Sequence, residues 1–133
     1  MLVVVACNDI RDFTGRWQGG RVGTTAALRQ GPGDAATLEI DEIEGHSIRA
    51  RLAVDNLIDE TSITSLEGAE ADALANLTFS GNPLRVFLAF SSTRDGGDAF
   101  VMIALYDDDR VEARVMRGGA APVYAIFALQ RAP

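Results

Sequence analysis

Between residues 47 and 55 the chain reads SIRARLAVD, with Ile48, Ala50, Leu52 and Val54 on one side and Ser47, Arg49, Arg51 and Ala53 on the other. A period of two belongs to a strand with one buried and one solvated face. Residues 36–43, ATLEIDEI, keep that period through Leu38 and Ile40 and then slip phase at Asp41-Glu42-Ile43. The slip predicts a β-bulge. Glu44-Gly45-His46 is a tight connection, so 36–55 is predicted as a hairpin. Apolar segments follow at 84–92, 98–106, 110–116 and 123–131, separated by TRDGG, DDD and RGGAAP. The separators hold the Gly, Asp and Pro that turns use, so the last four strands read as a meander. Further strands at 14–20 and 22–28, with a short piece near 77–80, complete the set. The fold class is therefore all-β: an antiparallel barrel of about eight or nine strands, with a β-sandwich as the alternative. A chain that starts and ends in strands can pair them and remove the open edges.

One segment departs from this pattern. Residues 64–77, TSLEGAEADALANL, place Thr64 and Glu67 at capping-box spacing and set Leu66, Ala69, Ala73, Leu74 and Leu77 on one helical face. A short helix is expected there, weakened by Gly68, lying across the barrel or over one end. Strand phase then sorts the apolar residues. Leu38, Ile40, Leu52, Val54, Leu88, Phe90 and Phe127 are candidates to line a ligand cavity, with Ile48, Val86, Val111, Val115 and Leu129 beside them. Side chains of this size suit either a dry core or a narrow cavity for a lipid-like molecule. In 84–92 and 98–106 the opposite phase is apolar too, through Phe87, Ala89, Val101, Ile103 and Leu105. On this reading Phe87, Val101 and Ile103 form an outer face that needs covering. The 64–77 helix, a second copy of the chain or a membrane surface would cover it.

Composition narrows the function classes. A chain of 133 residues, 47% of them hydrophobic, suits one domain with a real core, and no apolar run is long enough to cross a bilayer as a helix. Every basic residue is arginine, and the net charge is −7. Residues 34–72 carry eleven acids against Arg49 and Arg51, whereas residues 73–133 balance six against six. No basic stripe exists for a phosphate backbone, so nucleic acid is disfavoured as a partner. Repulsion from anionic headgroups opposes unaided adhesion to a membrane. One cysteine cannot form an internal disulfide.

Candidate chemistry is sparse. His46 is the only histidine and sits in the hairpin turn beside Glu44, where a solvated side chain is the ordinary outcome. Any His-dependent triad would have to use it, and no Ser-His-acid spacing points there. One His and one Cys make a poor zinc site. The acidic turns at 95–98 and 107–109 offer oxygen ligands without the regular spacing of a calcium loop. GRWQGGRVG, residues 15–23, matches neither a phosphate loop nor a dinucleotide turn. No catalytic residue, cofactor or metal is expected, and the protein does not read as an enzyme.

Two resemblances add to this reading. Val4-Val5-Ala6-Cys7 resembles a lipobox, the end of a bacterial lipoprotein signal peptide, in which a small residue precedes the cut and the cysteine thiol takes the lipid. It implies Cys7 as the lipidation site, residues 1–7 as a signal remnant, 8–13 as a tether and 14–133 as the barrel domain. Only six residues precede Cys7 and none is charged, so a complete signal would begin upstream. The competing reading makes Leu2 to Ala6 a first strand and Cys7 a small core residue, which would place the protein in the cytoplasm. Phe13 followed by Gly15-x-Trp17 resembles the opening of lipocalins and other calycins. There the tryptophan plugs one barrel end and an arginine from a late strand stacks on it, which makes Arg131 or Arg114 the candidate cation. Biotin-binding barrels resemble the chain at the same residues, but they line their site with several tryptophans and this chain has only Trp17. The expectation is a periplasm-facing, lipid-anchored envelope protein whose barrel binds a small apolar ligand. The alternative is a filled barrel with a structural or protein-interaction role, in which the face carrying Phe87, Val101 and Ile103 joins copies of the chain.

Overall fold

A computed structural model describes residues 10–22, 35–66, 83–119 and 122–133. A 3-10 turn over Ile10–Phe13 leads into nine strands: β1 (Gly15–Val22), β2 (Ala35–Glu44), β3 (Ser47–Val54), β4 (Ile58–Ser62), β5 (Thr64–Leu66), β6 (Arg85–Ser92), β7 (Asp98–Tyr106), β8 (Arg110–Arg117) and β9 (Val123–Arg131). All pairings are antiparallel, in the order β4-β3-β2-β1-β9-β8-β7-β6-β5. The first and last strands of that order are consecutive in the chain. Ile63, between them, donates its backbone N–H to Ala50 O at 3.0 Å, and beyond it the chain pairs with β6 instead of β3. One bent segment therefore brings the two ends of the sheet together, and the result is a nearly closed barrel. The sandwich alternative does not describe this single continuous sheet.

The expected hairpin forms, and its bulge falls where the phase slips, with the register shifting between Ile40 and Glu42. The C-terminal meander forms as read. β4 and β5 are additional. Thr64–Leu66 is strand, not the start of a helix, because pairing with Phe90, Ala89 and Leu88 uses its backbone groups in the sheet. β-branched Ile58, Thr61, Ile63 and Thr64 favour that extended state. Most of the expected helix, and the strands expected near 22–28 and 77–80, lie outside the described residues.

β1 and β9 make the seam between the two ends of the chain. At Gly19 they approach so closely that a Cβ would overlap the Ala128 carbonyl. Where β1 ends, Arg21 turns its guanidinium to the Tyr124 carbonyl at 3.3 Å, satisfying a group on β9 that the departing strand leaves.

Phase along 84–92 and 98–106 is the reverse of the expectation. Cross-strand partners share a face, and Phe87, Ile103, Ala113 and Phe127 stand opposite one another in turn. All four are fully buried in the barrel core. Phe87, Val101 and Ile103 thus cannot form an outer contact between copies. Val86, Leu88 and Phe90 point outward instead, so Leu88 and Phe90 cannot line the interior. Both faces of these strands are apolar, and alternation alone does not choose between them.

Candidate functional site: barrel ends, interior and outer face

Trp17 closes one end. It is completely buried on β1, opposite Leu38 of β2 and Arg131 of β9. Its ring stacks on Phe13, with centroids 5.5 Å apart and planes 17° apart, and its Nε1–H donates to the Phe13 carbonyl at 2.8 Å. Both the apolar body and the one polar atom of the indole are therefore satisfied. The Arg131 guanidinium lies 4.5 Å from the ring centroid. It also donates to the carbonyls of Thr14, at 3.2 Å, and Asp12, and pairs with Asp109 at 3.4 Å. Gly15 has φ +121°, a conformation other residues rarely adopt, and it lets the chain turn from Phe13 into β1 beneath that guanidinium.

Arg114, the other candidate cation, is elsewhere. It alternates with inward Ala113 and Val115 and so faces outward, opposite Met102 and Ile126. There it pairs with Glu112 at 2.6 Å and reaches Tyr124 Oη at 3.4 Å. A charge on this half of the barrel is tolerated because it is matched.

Of the proposed cavity lining, Leu38, Ile40, Leu52, Val54 and Phe127 do face inward, each at most 2% exposed. They belong to one continuous core cluster with Trp17, Phe87, Ile103 and Leu129. Barrels of about eight strands are just wide enough for side chains to fill them.

A cleft of about 300 Å³ opens on the rim away from Trp17, lined by Asn56, Leu57, Arg94, Asp95 and Arg117. Its charges are matched: Arg94 pairs with Asp59 at 3.3 Å and Arg117 with Asp95 at 2.8 Å. Asp95 also accepts from Thr93 Oγ1 at 2.5 Å and from Gly97 N–H at 3.4 Å. These hydrogen bonds, with Arg117 beside them, hold its carboxyl below the ordinary value of 3.8. A second cleft, of about 510 Å³, lies between the 3-10 turn and the β2–β3 hairpin, beside Ile10, Arg11, Asp41 and Glu42.

The acidic turns are partnered by arginine rather than gathered around a metal position. Asp108 pairs with Arg110 at 3.2 Å, and Asp109 with Arg131. Among the described residues no group of three His, Cys, Asp or Glu is placed to hold a metal ion. His46 occupies the turn of the β2–β3 hairpin, and no helix among the described residues is long and apolar enough to cross a membrane. Cys7 lies outside the described residues.

The outer surface is divided. On β1 to β4 it carries a ladder of ion pairs, Arg16–Glu39 at 3.4 Å, Glu39–Arg51 at 3.2 Å and Arg51–Glu60 at 3.3 Å, typical of a solvated face. On β6 and β7 it is apolar, and on β8 it carries Glu112, Arg114 and Met116. Val86, Leu88, Met102, Ala104 and Tyr106 form a second buried cluster there, separate from the barrel core. Phe90, Phe100 and Met116 stand opposite one another beside it, with Phe90 44% and Met116 41% exposed.

No protein family, curated protein or solved structure matches this chain.

Proposed function

We propose that this chain is a lipid-anchored protein of the bacterial cell envelope whose barrel serves as a packed scaffold for contacts with other macromolecules. It is neither an enzyme nor a carrier of a small molecule on this reading. The observation that carries the proposal is the interior. Leu38, Ile40, Leu52, Val54 and Phe127, the residues best placed to line a cavity, are spent on one another and on Trp17 and Phe87. A carrier needs a concave space inside, with a few placed polar groups to orient its ligand. Here the plugged end and the matched charges of the rim cleft supply packing and turn geometry. Exposed Phe90 and Met116, with half-buried Phe100 between them on the outer side of β6 to β8, support a contact role. The anchor rests on Val4-Val5-Ala6-Cys7; of the residues behind it, Ile10–Phe13 belong to the barrel end rather than to a tether.

Native mass spectrometry tests the filled barrel. Protein purified from a lipid-rich lysate should show the mass of the chain, with or without a covalent diacylglyceryl group, and no bound molecule. A non-covalent apolar ligand that is lost in Phe127→Trp protein would overturn the scaffold reading in favour of a carrier. The anchor is tested separately, by detergent partitioning of protein expressed from its own gene in a bacterial host. Cys7→Ser should move it to the aqueous phase, and unchanged partitioning would overturn the anchor alone.

A further inference from the structure

We draw no further inference here: the strongest candidate, the apolar outer face of β6 and β7 with exposed Phe90 and half-buried Phe100 beside the buried Val86–Leu88–Met102 cluster, belongs to the surface already described, and nothing among the described residues shows what covers it.

Discussion

Replacing Trp17 by alanine removes the largest fully buried side chain of the barrel. Truncating a buried aromatic costs about 3–5 kcal/mol, because the transfer energy is lost and the surrounding structure closes the cavity only in part. Trp17 belongs at the upper end of that range for two reasons. The Phe13 carbonyl loses its 2.8 Å donor, a contribution of about 1 kcal/mol, and the Arg131 guanidinium loses the ring 4.5 Å beneath it, about 0.5–1 kcal/mol at a partly exposed site. These contributions overlap with the cavity cost and do not add in full. The expected loss is therefore about 4–5 kcal/mol, a large share of the stability of a domain this size. Urea melts followed by far-ultraviolet circular dichroism measure it, since the variant lacks the only tryptophan and fluorescence cannot be compared. Arg131→Met provides the control: it should lose only about 0.5–2 kcal/mol while shifting the emission of the intact Trp17. A Trp17→Ala loss below about 1 kcal/mol, with an unchanged m-value, would refute the plug and with it the account of how this end is closed.

The two faces of β6 give a paired test: Phe87→Ala should cost about 3–5 kcal/mol in the same melts and Phe90→Ala under about 1 kcal/mol, whereas the opposite order would mean that the strand is turned over. Gly19→Val should lower stability by about 1–3 kcal/mol or prevent folding, read as melting temperature, because its Cβ meets backbone rather than a movable side chain. Asp95 has a lowered carboxyl pKa in the folded state, so its contribution is present above the unfolded value near 3.8 and is lost as pH falls through the folded value. Asp95→Asn should accordingly flatten the acid limb of a stability–pH profile below about pH 4, and an unchanged limb would show that the Thr93–Asp95–Arg117 contacts do not persist in solution.

How far the sequence alone reaches differs from strand to strand. In β3 the arginines at 49 and 51 can only face water, so the opposite phase had to be core, and Ile48, Ala50, Leu52 and Val54 are buried as the alternation requires. The bulge beside Asp41 was equally legible, because one extra residue is the only way to bring both Ile40 and Ile43 inside. A buried Trp17 was an expectation carried only by the likeness of Phe13 and Gly15-x-Trp17 to calycin openings, and composition could not say which arginine lies on the ring. Arg131 and Arg114 are chemically alike, and what separates them is that Arg131 is paired with Trp17 across the seam. In β6 and β7 the charges, Arg85 and Asp98, stand only at the strand starts, and the rest of both faces is apolar or small, so local pattern was silent on their orientation. The information was present one strand away. Glu112 and Arg114 fix the outer face of β8, and the three-residue turn at 107–109 places Tyr106 opposite Arg110, hence Ile103 opposite Ala113 inside. Propagating that register through Phe87 would have turned both strands the right way. β4 and β5 were hidden for another reason: the segment is short, bends at Ile63 and changes partner there, and helix-like spacing after Thr64 competes with it. Local periodicity determines which residues avoid water. Only the closure of the sheet, which must pair nearly every backbone group at once, decides which of two apolar faces becomes the inside.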